Sequence, residues 1–554
     1  MLFSRRFLPY FVTQCLGALN DNVFKNVLLL LVTYSQVELL PIDIHLFVNL
    51  AAGLFILPFL LFSAHAGQLA DSVDKALLIR RLKLLELIIM SVAIFAIISH
   101  SYMLMLLLLF LTGVQSAYFG PVKYSLLPRV LHESELVSGN AWVEMGTFLA
   151  ILIGTISAGM IVASDKATYW AAATVFILAL IGISASWFIP SIPAHSDVKP
   201  RFSIFSATID NINKARQSSA IWTAILAISW FWFVGATYLT QFPNFARITL
   251  NADARVVSLL LLLFSVGIGV GSFVCERLSC RRVELGIMPL GLLLLACFGI
   301  DLYFALPKQA TLVALYQLDS FIAETGHYRL MFDLLMIGVG GGLFIVPLYT
   351  YIQVRAKEGE CAQAIASNNI VNALFMVTSA IFSMLVLNVL QWPIEQLFLV
   401  LAVANILVLL YLFWRWPELL LSCVSYFIRR VSHKIQVLDL ESLHKSSKLL
   451  VVTEQASWRE LMVIFGSFNH PVLFANLSLQ PWPNRFIGRV LSRLSWYPHQ
   501  QMEVDSVICV DKASLGEFKS RVEFANFQVV SVKCTATVGR VLKLAIAPLA
   551  ADNS

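Results

Sequence analysis

Mostly apolar stretches of about 18–25 residues recur along this chain, and each is long enough to cross a bilayer as one helix. They fall near residues 8–33, 44–66, 77–98, 102–121, 138–163, 168–189, 219–243, 256–275, 285–305, 331–353, 364–388 and 393–414. A fold built on them is an all-α polytopic membrane protein with twelve spans. Composition agrees: only 13% of the 554 residues are charged, against about 25% in soluble domains. The net charge of +6 follows from Lys and Arg in the loops on one side and does not imply a nucleic-acid partner. Arg5-Arg6 before an apolar run resembles the start of a signal peptide, but the run exceeds signal length and no small-residue cleavage site precedes Asp21, so a first transmembrane helix is expected. Eight scattered cysteines form no CxxC or His/Cys pattern. Neither zinc nor disulfides are expected, and no cofactor is implied.

Loop charge alternates. One side carries Arg5, Arg6, Lys75, Arg80, Arg81, Lys83, Lys123, Arg129, Lys199, Arg201, Lys214, Arg216, Arg277, Arg281, Arg282, Arg355 and Lys357. The other carries Lys166, Arg247, Arg255, Lys308 and Arg329. The positive-inside rule puts both ends of the bundle in the cytoplasm. The longest interior loop, 190–218, contains Pro190, Pro193 and Pro200 and divides the spans six and six. Residues 1–189 and 219–415 then form two six-helix bundles joined by a cytoplasmic linker. The halves look like copies. Gly17-Ala18 is followed by Phe24, and Gly235-Ala236 by Phe242 at the same spacing. Pro121-Val-Lys123-Tyr124 precedes Asn140 much as Pro347-Leu-Tyr349-Thr350 precedes Asn368. A 6+6 pseudo-repeat with a central site is the expected architecture.

Charge inside the spans is costly: on insertion scales an isolated ionised group near the bilayer centre costs about 2.5–3.5 kcal/mol. The first span nevertheless carries Asn20-Asp21-Asn22 and Lys25, with Asp21 roughly 20 Å along the helix. Asp21 and Lys25 share a helix face and can partly neutralise each other. Such a pair either locks helices together or forms a polar wall in a transport path. Glu144 lies within span five, deeper than an acid able to reach the interface. Lys123 is near a helix end, from which it can snorkel. Trp230, Phe231 and Trp232 in span seven are candidates to line an apolar opening, with core or interface packing as the alternative. His65 reads as structural. Gly338, Gly340, Gly341 and Gly342 read as helix packing or a hinge, because no strand precedes them.

Beyond about residue 420, apolar runs shorten to strand length: Leu449–Val452, Val507–Val510, Phe527–Val532 and Val541–Ala545. Mixed helical stretches such as Trp458–Phe465 and Arg485–Leu494 lie between them. A small cytoplasmic α/β domain over 430–554 is expected. Arg415, Arg429, Arg430 and Lys434 would face the anionic leaflet.

Several motifs resemble known families. Gly67-Gln-Leu-Ala-Asp71 followed by Lys75 and Arg80-Arg81 resembles a degraded G-x-x-x-D motif of the major facilitator superfamily, which implies a gating role for Gly67 and Asp71. Gly17-Ala-Leu-Asn20-Asp21-Asn22-Val-Phe24-Lys25-Asn26, Gly120-Pro121-Val-Lys123-Tyr124 and Asn140-Ala-Trp-Val-Glu144-Met-Gly146-Thr147 resemble the bacterial lysophospholipid transporter family, whose members include halves fused to acyltransferase and acyl-carrier-protein synthetase domains. The resemblance implies transport of lysophospholipids, mainly lysophosphatidylethanolamine, into the inner leaflet of the bacterial cytoplasmic membrane for re-acylation. Membrane lipids and an acyltransferase/acyl-ACP synthetase are then the implied partners. It also implies functional roles for Asp21, Lys123 and Glu144, with Asn22, Lys25, Asn140, Trp230 and Trp232 as further candidates for substrate contact. A zwitterionic head suits such a set, with carboxylates for its ammonium and lysines for its phosphate.

In the tail, Gln455-Ala-Ser-Trp-Arg-Glu460 resembles the H-x-x-x-x-D motif of glycerolipid acyltransferases, with Gln455 where the general-base His belongs. An amide cannot remove a proton in that role, so the tail resembles an acyltransferase that has lost its chemistry. Three functions compete: a lysophospholipid flippase or importer, a major facilitator exporter of drugs or other amphiphiles with possible proton coupling, and a membrane-anchored acyltransferase. The missing His disfavours the third.

Overall fold

The computed structural model describes residues 1–34, 44–194, 204–279, 283–306, 315–357 and 359–427, and six strands between 434 and 548. Two compact units result. The first covers Met1–Val283 and Met288–Leu409, the second Glu284–Ile287 and Leu410–Ser554.

The first unit is a helix bundle. Its first half contains α1 (Leu8–Tyr34), α2 (Ile44–Ser72), α3 (Lys75–Ile98), α4 (Tyr102–Val130), α5 (Glu133–Val162) and α6 (Ala167–Ser186). A shorter helix, α7 (Ile204–Gln217), lies in the segment between halves. The second half contains α8 (Ser219–Asn244), α9 (Ala254–Ser279), α10 (Met288–Phe304), the short α11 (Leu318–Ala323), α12 (Tyr328–Arg355), α13 (Cys361–Met384) and α14 (Ile394–Arg415). Among the described residues, 11 of the long helices are apolar and long enough to cross a membrane. The twelfth, α3, carries Lys75, Arg80, Arg81, Lys83 and Glu86 in its first half, which removes it from a purely compositional count. The twelve expected spans thus correspond to twelve long helices.

Several helices outrun their apolar segments. The second runs on to Ser72 and the fourth to Val130, and the fifth begins at Glu133. The added turns are polar because they pack against protein rather than lipid.

The two halves repeat one arrangement. In the first, α1 packs on α5, while α2 and α3 pack on α4. In the second, α8 packs on α13, while α9 and α10 pack on α12. Between halves, α5 meets α9 and α2 meets α13. Superimposing one half on the other exchanges these two contacts, the signature of an approximate two-fold axis between six-helix repeats.

Glycines set the closest approaches. A Cβ on Gly271 would lie 2.1 Å from the Val339 carbonyl oxygen, and one on Gly338 2.3 Å from the Phe264 carbonyl oxygen. The glycine run of α12 is therefore a packing surface against α9 and α10, in the small-residue manner of membrane helices.

The second unit takes in the last residues of α14, from Leu410, and contains a further helix, α15 (Pro417–Phe427), and a six-stranded mixed sheet of β1 (Lys434–Leu438), β2 (Lys448–Thr453), β3 (Val472–Ala475), β4 (Val507–Asp511), β5 (Phe527–Thr537) and β6 (Val541–Pro548). The spatial order is β1-β6-β5-β2-β4-β3. Strand β2 pairs in parallel with β4 and β5, while β5 and β6 run antiparallel. All four strand-length apolar runs are strands. The first and third strands lacked a comparable sequence signal. Gln455, Glu460 and the stretches Trp458–Phe465 and Arg485–Leu494 lie outside the described residues.

Candidate functional site

The polar residues of the first half gather in two layers along α1. Gln14 marks one layer. Asp21, seven residues on and so about 10 Å further along the helix, marks the other.

In the Asp21 layer, the Ser116 hydroxyl of α4 donates to Asp21 Oδ2 at 2.5 Å. Asp21 Oδ1 is buried without a hydrogen-bond partner. Lys25 does not close onto Asp21. Its Nζ donates to Asn22 Oδ1 at 3.3 Å and stands 5.7 Å from the Phe55 ring centre. The two groups make no direct ion pair, yet they stand near enough for their charges to interact, as the four-residue spacing suggests.

In the Gln14 layer, Lys123 Nζ donates to Thr147 Oγ1 at 2.9 Å, and the Tyr124 hydroxyl donates to Glu144 Oε1 at 2.5 Å. Lys123 faces inward and does not snorkel. It lies near enough to Glu144 for their charges to interact. Glu144 is fully buried, and its Oε2 has no partner. Among the described residues the ion pairs are Arg6–Glu135, Lys75–Asp71, Lys83–Glu86 and Arg329–Asp301. None of Asp21, Lys25, Lys123 or Glu144 takes part. Buried charges usually pair and saturate their hydrogen bonds; here each of the two carboxylates keeps one buried oxygen without a hydrogen-bond partner.

A true buried ion pair packs against α1. Lys83 Nζ bonds Glu86 Oε2 at 2.7 Å, both side chains being 1% exposed. Asn20 and Gln115 donate to the same carboxylate. The lysine fits because Gly17 and Gly182 face it: a Cβ at Gly17 would lie 2.7 Å from its Nζ. Lys83 belongs to this buried network rather than to a loop, and its removal from the count of basic loop residues leaves the charge asymmetry intact.

The remaining expected residues lie elsewhere. Asn140 joins the halves: its Nδ2 donates to Gln353 Oε1 at 2.7 Å, and Gln353 Nε2 donates to Asn140 Oδ1 at 3.0 Å. Nearby, the Tyr124 and Tyr349 rings stack across the halves with centroids 4.2 Å apart and planes 2° from parallel. Trp232 stacks near Phe148 of the opposite half, whereas Trp230 turns away and donates to Asn405 at 2.8 Å. The pair Trp230 and Trp232 is therefore split between two surroundings. His65 Nδ1 contacts the Tyr118 hydroxyl at 2.7 Å.

Gly67 and Asp71 form a contact between the halves at the same end as Asn140. A Cβ on Gly67 would meet Ala366 Cβ at 2.6 Å. Asp71 accepts the backbone N–H of Ala362 at 3.1 Å and of Gln363 at 3.2 Å. These are orphan donors of the first turn of α13, whose own N-cap residue Glu360 makes no side-chain cap bond. One half thus caps a helix of the other, and the carboxylate also meets the positive end of the helix dipole. Among the described residues, no group of three His, Cys, Asp or Glu side chains is gathered as a metal site.

Such a fold and site define a membrane transporter with two repeated halves. The profile of the Major Facilitator Superfamily matches residues 11–380, and the chain belongs to that superfamily. The lysophospholipid transporter LplT of Serratia proteamaculans is 27% identical over 377 residues, covering 67% of this chain and 85% of that one. Its namesake from Cronobacter sakazakii is 28% identical over 385 residues with the same coverage. Among solved structures, the E. coli fucose:proton symporter FucP superposes with a TM-score of 0.53 at 12% identity, covering 74% of this chain and 99% of that one. The human organic anion transporter TETRAN gives 0.56 at 14%, covering 73% and 99%. The last two likenesses concern the fold alone.

Proposed function

We propose that this protein moves lysophospholipids, lysophosphatidylethanolamine above all, across or into the inner leaflet of a bacterial cytoplasmic membrane for re-acylation. One observation carries the reading: two buried carboxylates each keep an oxygen without a partner, beside lysines that join no ion pair. A zwitterionic head fills both needs at once, its ammonium on Asp21 or Glu144 and its phosphate on Lys25 or Lys123. Asn22 holds Lys25 in place. The acyl chain needs no polar partner and leaves toward lipid past apolar surfaces such as that around Trp232. The names and coverage of the Serratia and Cronobacter relatives support this cargo.

Transport proceeds by alternating access between the halves, 1–189 and 219–415, joined through 190–218. Gly67, Asp71 and Asn140 serve as the gate at one end. The basic loops support both ends of the bundle lying in the cytoplasm. The tail, 430–554, is read as an acyltransferase-like domain without catalysis, Gln455 being unable to act as a base. A separate acyltransferase/acyl-ACP synthetase consumes the delivered lysolipid.

The test is uptake of labelled lysophosphatidylethanolamine by cells lacking their own transporter, with an unrelated amphiphile in parallel. The wild-type protein should restore lysolipid uptake, and Asp21→Asn should abolish it at normal expression. Lowered accumulation of the amphiphile, with no lysolipid uptake, would instead make the protein an exporter of other molecules.

A further inference from the structure

We infer that Tyr124 couples cargo binding to the gate, by spending its hydroxyl on Glu144 in one half while its ring rests on Tyr349 of the other. The inference rests on Glu144 receiving the cargo's cationic group. The hydroxyl donates to Glu144 Oε1 at 2.5 Å, a length typical of bonds to an ionised acceptor, which are about twice as strong as neutral ones. The ring lies parallel to Tyr349 at 4.2 Å. Tyr124 also offers its backbone carbonyl to Gln353 Nε2 at 3.1 Å, and Gln353 in turn holds Asn140. One residue therefore touches the proposed binding carboxylate and two of the contacts that close the halves.

The geometry gives the coupling a direction. Glu144 Oε2 is buried and unpartnered, so an arriving cation gains a full carboxylate interaction there. Charge drawn toward that cation is charge withdrawn from Oε1, and the Tyr124 bond weakens. A phenol released from Glu144 keeps only the neighbouring Tyr349 hydroxyl as a partner and is no longer held in the one orientation that lays it flat on that ring. Offset-stacked aromatic pairs contribute beyond the area they bury, and that contribution depends on the angle between rings. The gate loosens when the site fills and tightens when it empties. Lys123 completes the arrangement: its ammonium stands 5.0 Å from the Tyr124 ring centre while donating to Thr147. An anionic group that attracts Lys123 would move the cation off the same ring.

The experiment measures the distance between nitroxide labels at Ser134, in the first turn of the fifth helix, and Lys357, just beyond the twelfth. Both are exposed, one on each side of the gate, and the native cysteines are first replaced. In wild-type protein, lysophosphatidylethanolamine should move part of the population to longer separation. Y124F keeps the ring and loses the donor, so the open-to-closed ratio should rise about tenfold without ligand, the factor expected for about 1.4 kcal/mol. Added lysolipid should still bind Y124F, followed by fluorescence of a labelled analogue, yet produce no further shift. Y349L removes the stacking partner and should open the same distance without ligand. A wild-type distribution in ligand-free Y124F overturns the coupling, as does a normal ligand-driven shift in that variant. If lysolipid neither binds nor moves the wild-type protein while Y124F and Y349L still open it, the cargo assignment fails and the link from Glu144 through Tyr124 to the gate stands; lysolipid that binds the wild-type protein without moving it overturns the coupling.

Discussion

At the scale of single residues, charges in apolar helices were readable and their partners were not. Asp21, Lys25 and Glu144 stand out because an ionised group in a membrane span is expensive. Lys83 does not, because it follows Arg80 and Arg81 and looks like part of a basic loop. Only the fold reveals its pairing with Glu86 in a space left by Gly17 and Gly182. Tyr124 and Thr147 lie inside quoted motifs without standing out there, Gln353 lies outside any of them, and all three become important through contacts more than 20 residues away. The Lys83–Glu86 pair makes a sharp prediction. Removing one partner of a buried pair costs about 3–5 kcal/mol, whereas replacing both with apolar groups of similar size is often neutral. Lys83→Met should therefore lower the melting temperature of the detergent-solubilised protein markedly, and Lys83→Met with Glu86→Leu should recover most of the loss. Asn20 and Gln115 lose an acceptor in the double variant, so the recovery should stop short of wild type. Equal melting of the single and double variants would mean that an unpaired Glu86 carries no penalty.

At the scale of elements, helix positions followed from the length of the apolar runs, and helix ends did not. The ends that outrun those runs are held by caps and contacts between helices. Asp74 is one such cap. Its carboxylate accepts the Leu77 N–H at 2.8 Å, starting α3, and also the Ser191 hydroxyl and the Ile192 N–H. Partial burial acts to raise its pKa, but these hydrogen bonds together outweigh it and hold the carboxyl below its ordinary value. The stabilisation is thus complete above the unfolded carboxylate pKa of about 3.9 and disappears as pH falls through the lower folded value. Asp74→Ala should cost about 1 kcal/mol at neutral pH, and its melting deficit should shrink below about pH 4. A deficit that persists unchanged into acid would assign the effect to something other than the charge. Glycines give a second contrast. Gly271→Ala would drive a methyl into the Val339 backbone, where nothing flexible can give way, and should lose about 3 kcal/mol or fold in poor yield. Gly159→Ala meets nothing within 4 Å and should gain about 0.5–1 kcal/mol from helix propensity. Thermal melting of both in the same detergent separates a packing glycine from an idle one.

At the scale of the whole molecule, the change at residue 420 was visible because hydrophobic runs fell from span length to strand length. The pairing of the strands was not visible. Strand order depends on crossovers, and β1 and β3 are too short and too mixed to announce themselves. The superfamily match ends at residue 380, and the lysophospholipid transporter relatives align with about two thirds of the chain. The helix bundle carries every residue of the two charged layers, Asp21, Lys25, Lys123 and Glu144 included, and every contact of the proposed gate. The sheet belongs to a separate compact unit. Transport should therefore survive removal of everything after Phe427, a cut that keeps α14 and α15 whole. Cells expressing residues 1–427 should take up labelled lysophosphatidylethanolamine at a rate within about twofold of the full chain, once normalised to membrane-inserted protein. If the truncated protein inserts and melts normally yet transports nothing, the tail takes part in the cycle, and the charged layers of the bundle are not sufficient for function.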